Sequence, residues 1–466
     1  MSFSSLNLVP ELLQAIRASG YQRMTPIQAQ AIKPACAGKD LLANAQTGTG
    51  KTAAFAIPVL QQMALSPKPT KPGSPRAIIL TPTRELAEQL ASTIGHYAQF
   101  LPLTITAAYG GVKMTGQEAK LKAGVDILIA TPGRLLEHIV QCNVNMASVE
   151  FAVLDEADRM LDMGFVSDVQ SILQLAPKSR QTLLFSATLS GSINELAHKL
   201  LHKHLEIRVA KQNTISADVE EIIYPVEERK KIELFLELLE GFNWFQVLVF
   251  TSTKAQADQL MISLRQCKID AAICHGDKSQ GSRRRALADF KSAKIQVLIS
   301  TEVAARGLDI QGLEYVVNYN LPYLAEDYVH RIGRTGRAGA KGHAISFVSR
   351  EEERTLDTIQ RLIGHKIKRI HHSGYVVSNR DSLIKTVENQ KRSVRTNKVS
   401  QTRINRDSIS AENSAKSGAE KASRKRSGNS ANKASGERKY NGKLTSGKAS
   451  PKVKVKAKKK KIKKKR

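Results

Sequence analysis

Ala45-Gln46-Thr47-Gly48-Thr49-Gly50-Lys51-Thr52 is the stretch on which the reading of this chain turns. It follows the apolar run Leu41-Leu42-Ala43 and precedes Ala53-Ala54-Phe55-Ala56-Ile57, whose pattern predicts a helix. A strand, a glycine-containing loop and a helix start, in that order, make a cradle for phosphate. Backbone N–H groups converge on the anion, and the helix dipole favours negative charge there. Lys51 would reach the outer phosphates as a point charge, and the Thr52 hydroxyl would hold Mg²⁺. Ala45 replaces the usual first glycine, so the loop taken alone also reads as a plain surface turn.

Around this loop, from 41 to about 209, short apolar runs alternate with helical patterns. The strand candidates are 77–80, 105–108, 125–129, 151–154 and 182–185, and each ends at a polar cluster. Such alternation predicts an α/β fold with a parallel sheet buried on both faces. In open sheets of this kind ligands sit beyond the C-terminal strand ends, where the polar clusters fall. Residues 1–40 add an amphipathic piece over 10–18 and the turn Ser19-Gly20-Tyr21, and belong with this first domain. The polar interval 210–218 reads as a linker. The pattern restarts with strand candidates at 246–250, 269–273, 296–300, 315–319 and 344–348, giving a second α/β domain over 219–370. No close sequence repeat relates the halves.

The chain carries 72 Lys/Arg and 42 Asp/Glu, a net charge of +30. Residues 371–466 hold 29 of the basic and 6 of the acidic residues, so 1–370 is only mildly basic, with 43 against 36. From about Asp381 the composition reduces to Ser, Asn, Lys, Arg, Gly and Ala, too little apolar surface to offset ordering entropy. The segment 371–466 is therefore expected to be a largely disordered, basic tail, and a polyanion such as nucleic acid is its expected partner. Cys36, Cys142, Cys267 and Cys274 form no C-x-x-C pair, which fits a reducing compartment. No stretch approaches a membrane span and residues 1–20 lack a signal-peptide core, so a cytoplasmic protein without membrane contact is expected.

Asp155-Glu156-Ala157-Asp158 directly follows the apolar run 151–154. A carboxylate at a strand end, in the same domain as a phosphate loop, is where such sites hold Mg²⁺. Asp155 would bind the metal and Glu156 would orient and deprotonate the attacking water.

Together with the stretches below, these residues resemble a DEAD-box RNA helicase, in the family's motif order over about residues 1–370. The resemblance implies two RecA-like domains in tandem that close over ATP and RNA, with ATP and Mg²⁺ as cofactors. Gly20-Tyr21-Gln22-Arg23-Met24-Thr25-Pro26-Ile27-Gln28 resembles the Q motif, with Met24 where proline is usual. It implies that Phe3 stacks on adenine and that Gln28, whose amide both donates and accepts, reads its edge. Pro82-Thr83-Arg84, Gly110-Gly111 and Thr131-Pro132-Gly133-Arg134 resemble the family's RNA contacts. They supply backbone N–H groups, hydroxyls and arginines, ligands for phosphate rather than base edges, which implies sequence-independent RNA binding. Ser186-Ala187-Thr188 resembles the motif coupling hydrolysis to strand separation; its hydroxyls would bridge the acidic loop to the second domain, and Asp158 is expected to share in that coupling.

In the second domain Thr251, Arg283 and Thr301 fall in stretches resembling RNA-contacting motifs, and Gly307 and Asp309 in one resembling a nucleotide-contacting motif. Glu302 and Asn320 stand where aspartate is usual. His330-Arg331-Ile332-Gly333-Arg334-Thr335-Gly336-Arg337 resembles the motif in which Arg334 and Arg337 would be arginine fingers on the γ-phosphate. His330 would couple that motif to the acidic loop. Residues 361–384 look most like the RhlE-like bacterial branch. The resemblance thus implies an ATP-dependent RNA helicase that closes on RNA and locally unwinds short duplexes, in ribosome assembly or RNA turnover. A passive RNA chaperone with incidental ATP binding, and a DNA helicase of similar domains, are the alternatives.

Overall fold

Runs that are apolar at every position can sit in a sheet only if both faces are covered, and helices cover both faces here. The computed structural model describes residues 2–45, 48–209, 218–305, 310, 312–336 and 341–375. Its first sheet contains β1 Leu41–Asn44, β2 Ala77–Leu80, β3 Ile105–Ala108, β4 Ile127–Ala130, β5 Phe151–Leu154, β6 Gln181–Ser186 and β7 Leu205–Arg208. The second contains β8 Val219–Pro225, β9 Val247–Thr251, β10 Ala271–Cys274, β11 Val297–Thr301, β12 Tyr315–Asn318, β13 Gly342–Val348 and β14 Lys368–Arg369. All pairings are parallel. The strand orders are β3-β4-β2-β5-β6-β1-β7 and β10-β11-β9-β12-β13-β8-β14. Position for position the second order repeats the first.

Alternate residues of a strand serve opposite cores, as the period of two requires. Leu41 and Ala43 join one hydrophobic cluster of the first domain while Leu42 joins the other. Val247 and Val249 likewise part from Leu248 and Phe250. Each such Leu, Val or Phe contributes about 1.5–3 kcal/mol by leaving water.

The central strands match the expected runs to within two residues at either end, and β2, β3 and β5 coincide with them. Three strands were not expected: β7, β8 and β14. β7 and β14 are sheet edges whose side chains are mostly exposed, and β8 begins Val219-Glu220-Glu221 and ends in proline. None shows the continuous apolar run that buried strands need. The second domain also runs past 370: the His372 ring lies 6.4 Å from that of Tyr224 and 5.6 Å from that of Tyr375. The segment 210–217 and the tail from 376 on lie outside the described residues. Among the described residues no helix is long and apolar enough to cross a membrane.

Candidate active site

In the first sheet β5, β6 and β1 are neighbours, so the loops leaving their C-terminal ends meet. These loops carry the acidic tetrad, Ser186-Ala187-Thr188 and the phosphate loop. Gly48 (φ 85°) and Gly50 (φ 89°) take the left-handed conformation, which turns the loop back into the helix Lys51–Leu65. Gly50 is constrained twice, because a Cβ there would also strike the Gln28 amide. That amide spans two elements: Oε1 accepts from Thr25 N at 2.9 Å and Nε2 donates to Gly50 O at 3.1 Å. Gln28 is thus fully buried rather than a helix-surface residue, and ties the N-terminal region to the phosphate loop. Phe3 is buried 6.0 Å from the ring of Tyr21. Ala45 is buried at the end of β1; Gln46 and Thr47 lie outside the described residues.

Lys51 opens the helix with its side chain 6 % exposed, and its Nζ has no hydrogen-bond partner among the described residues. The nearest carboxylate oxygen is Asp155 Oδ1 at 4.0 Å. An unsatisfied buried ammonium at a helix N-terminus marks a site shaped for an anion. Burial pushes the Asp155 carboxyl up to about 6, against the pull of Lys51, and the neighbouring Glu156 and Asp158 add to the rise. A divalent cation would reverse that balance. The donor set of Thr52 hydroxyl and Asp155 carboxylate, both hard oxygens, fits Mg²⁺.

Glu156 is a non-glycine residue in the left-handed region (φ 55°, ψ 52°), held by its N–H donating to Asp155 Oδ1 at 3.1 Å. Conformations of this kind cost about 1–3 kcal/mol and persist where surroundings impose them. Asp158 Oδ2 accepts from the backbone N–H groups of Ala187 (3.1 Å) and Thr188 (3.2 Å), and more weakly from Thr188 Oγ1 (3.4 Å). Ser186 Oγ closes the turn by donating to Thr188 O at 2.7 Å. Acidic loop and hydroxyl loop therefore move as one piece.

The two domains touch through charged pairs. Arg159, next in sequence to Asp158, bonds Asp327 and His330 on the helix Ala325–Ile332 of the second domain. Both Arg159 and Asp327 are buried there. Arg283 pairs with Glu85 at 2.9 Å, and Arg284 donates to Glu88 (2.9 Å) and Tyr109 Oη (2.7 Å). Arg159, Asp327, Glu85, Glu88, Arg284 and Tyr109 were not among the expected site residues. Asp327 stands three positions before His330 on one helix, a spacing that could have flagged it.

The first-domain residues expected to contact RNA cluster. Thr83 Oγ1 caps the helix Arg84–Tyr97, and the Arg84 guanidinium lies where a Cβ on Gly111 (φ 78°) would be. Pro82 and Gly110 flank them in sequence, and Thr131 precedes the helix Pro132–Val140, which includes Gly133. Two expected RNA ligands are engaged otherwise. Arg134 donates to Val112 O (3.2 Å) and Gln117 Oε1 (3.3 Å), which makes it a brace for the glycine loop. Arg283 spends a guanidinium N–H on Glu85 of the other domain. Thr251 and Thr301 end the paired strands β9 and β11. Arg334 is buried after the helix Ala325–Ile332, its carbonyl accepting from Leu313 N at 3.1 Å. Gly307, Asp309 and Arg337 lie outside the described residues.

Residues 25–196 match the DEAD/DEAH box helicase family model and 230–339 the helicase conserved C-terminal domain. The chain is 41% identical over 370 residues to the ATP-dependent RNA helicase RhlB of Pseudomonas syringae pv. tomato, a match covering 78% of this chain and 93% of that one. The chain belongs to the DEAD-box RNA helicases. A second relative is the DEAD-box ATP-dependent RNA helicase CshA of Bacillus cereus: 40% over 369 residues, 79% of this chain and 69% of that protein. Among solved structures, S. cerevisiae Dbp5 bound to RNA and ADP BeF3 superposes with a TM-score of 0.72 at 30% identity, covering 83% of this chain and 99% of that one. A DEAD-box helicase is an RNA-stimulated ATPase that binds nucleotide and RNA.

Proposed function

We propose that this helicase binds ATP between its domains, closes on RNA of any sequence, and separates short duplexes by distorting the bound strand. The buried ammonium of Lys51, 4.0 Å from Asp155 and without a hydrogen-bond partner among the described residues, carries the reading. Lys51 would neutralise the outer phosphates, with Phe3 and Gln28 at the adenine. Mg²⁺ held by Thr52 and Asp155 would supply charge neutralisation between the phosphates. Glu156 would orient the attacking water and accept its proton, and Arg334 with Arg337 would stabilise charge on the transferring group. Asp158, Ser186, Thr188 and His330 would transmit the state of the nucleotide across the domain boundary. Because cradle and arginines lie on different domains, ATP and RNA favour the same closed state and so bind cooperatively.

The basic tail would tether structured RNA through phosphate contacts, with an affinity falling steeply with salt. Placement on the RhlE-like branch rests on residues 361–384 alone, beside relatives named RhlB and CshA. A cytoplasmic role in ribosome assembly or RNA turnover completes the reading. Glu156→Gln tests the chemistry. It should lower hydrolysis at least ~100-fold, the scale of a lost general base, while trapping a closed complex on ATP and RNA. Undiminished turnover in that variant would refute the assignment.

A further inference from the structure

The end of the first sheet opposite the ATP site also holds a cavity, of about 580 Å³, whose lining is rich in cations. Register explains how they gather. Ala77, Phe151 and Gln181 are cross-strand partners at the N-terminal ends of β2, β5 and β6. The residues just before them, Arg76, Glu150 and Arg180, therefore lie side by side. Their backbones are knit together as well, Glu150 N donating to Arg76 O at 2.7 Å and Gln181 N to Glu150 O at 2.9 Å. Lys68 and Lys71 approach from the loop before β2 and also line the cavity, as does Asp126.

The acids are already spoken for. Glu150 accepts from Arg76 Nε at 2.6 Å and pairs with Lys68 at 2.9 Å. Asp126 accepts from the Thr70 hydroxyl at 2.9 Å and from Thr104 N and Oγ1 at 2.8 Å. The arginines are not fully used. Arg76 is 4 % exposed, yet its Nη1 has no hydrogen-bond partner among the described residues. Arg180 donates from Nη1 to the carbonyls of Ala176 and Pro177, and its buried Nε likewise lacks a partner. Four cations line the cavity against two acids, with Asp40 a third carboxylate close to Arg180. The wall stays net positive, and two guanidinium N–H groups have no acceptor among the described residues. Guanidinium forks match phosphate oxygens in geometry and charge. A volume in the range of small-ligand sites, with Phe151 and Pro177 on its wall, leaves room for an apolar appendage.

We propose that this cavity is a second anion site, binding a small phosphate dianion or its monoester at the base of the first domain, apart from the ATP cradle. Arg76 and Arg180 are its recognising residues, and Lys68 and Lys71 add field. Of the strands lining it, β5 leads directly into Asp155 and β6 ends at Ser186, so an occupant and ATP would share one rigid sheet.

Calorimetric titration of the full chain with inorganic phosphate, phenyl phosphate and acetate at constant ionic strength tests this, with the ATP cradle filled by a nonhydrolysable analogue and Mg²⁺. One saturable phosphate site is expected, weakened at least ~10-fold by Arg180→Gln, the usual cost of a lost charge-assisted hydrogen bond. Arg76 Nε and Nη2 are both held by Glu150 (2.6 and 3.3 Å), so Arg76→Lys keeps a charge for that pair but loses the Nη1 donor, and should weaken binding similarly with the melting temperature little changed. Tighter phenyl phosphate supports the site with an ester as its source; equal affinities support it with free phosphate as the source. Overturning results are equal binding of acetate, phosphate binding indifferent to both arginine variants, or no saturable site. Loss of ATP hydrolysis in Glu156→Gln is independent of all these outcomes, so either idea can fail without the other.

Discussion

Removing the Arg159 guanidinium should weaken closure while leaving both domains folded. Arg159 belongs to the first domain and bonds Asp327 and His330 of the second, and the pair with Asp327 is buried. In Arg159→Ala the closed form would hold the Asp327 carboxylate without its buried guanidinium partner, keeping His330 Nδ1 at 3.9 Å, whereas the open form would hydrate it. Breaking a buried pair from one side costs about 3–5 kcal/mol. A cavity of about 350 Å³, lined by Asp158, Arg159, Asp162 and His330 among others, adjoins the pair. Water entering it would lower that cost to about 2–3 kcal/mol, or ~30- to 150-fold in the closing equilibrium. Dyes on the two domains, read by fluorescence transfer while an oligoribonucleotide is titrated at saturating nonhydrolysable ATP, report closure directly. The RNA midpoint should rise by that factor, and the melting temperature should stay near that of the parent chain. A midpoint shift under threefold with an unchanged melt would refute the view that this pair holds the domains together.

Other perturbations probe the rest of the molecule. Glu302 occupies a position where aspartate is usual and accepts from Arg331 Nε at 2.5 Å, with Arg331 2 % exposed. Glu302→Asp should withdraw the carboxylate and destabilise the second domain by about 1–3 kcal/mol in urea unfolding; an unaltered midpoint would show that Asn318 and Asn320 suffice for Arg331. Burial, then the nearby Arg134, lowers the His138 pKa below its usual 6.5. Folding therefore favours the neutral ring, and the stability present above pH 6.5 is lost as pH falls from there through the lower folded-state value. His138→Gln should flatten that limb of a melting-temperature profile, and an unchanged limb would exclude His138 as its source. Burial also pushes the Cys36 thiol up to about 11, while Cys142 and Cys267 are exposed. Iodoacetamide at pH 8 should modify the latter two well before Cys36, as peptide mass spectrometry would show.

What could be read in the chain without its structure follows from how local each feature is. β5 was legible because Phe151-Ala152-Val153-Leu154 is buried on both faces, and Asp155 because it ends that strand. Lys51 was legible from glycine spacing. The left-handed backbone of Glu156 was not, since nothing in Asp-Glu-Ala-Asp demands it. Nor could spacing reveal that Gln28 reaches Gly50, or that Arg159 meets Asp327 and Arg283 meets Glu85. Those contacts join residues 22, 168 and 198 positions apart, and the longer two depend on how separate domains dock. Arg134 and Arg283 illustrate the converse: a motif assigns a residue type to RNA, while the folded surroundings engage some of its donors.

The matched strand orders pose a sharper question, because two sheets of one topology hold one phosphate cradle. β8 holds in its sheet the place that β1 holds in the other. β1 leads into Gly48-Thr49-Gly50-Lys51, which turns N–H groups and an ammonium toward an anion. β8 leads from Pro225 into Val226-Glu227-Glu228, with no glycine to take a positive φ and two carboxylates that repel phosphate. Glu228 is engaged within its own domain, paired with Lys231 at 2.7 Å and accepting from Asn320 at 3.1 Å. The second domain has thus kept the scaffold and lost the cradle, which leaves it free to act on the first domain's nucleotide from outside. Two cradles would bind two nucleotides and hold each domain satisfied alone. On the function proposed above, one cradle with Arg334 supplied from the opposite domain would make the nucleotide itself the reason for the domains to meet.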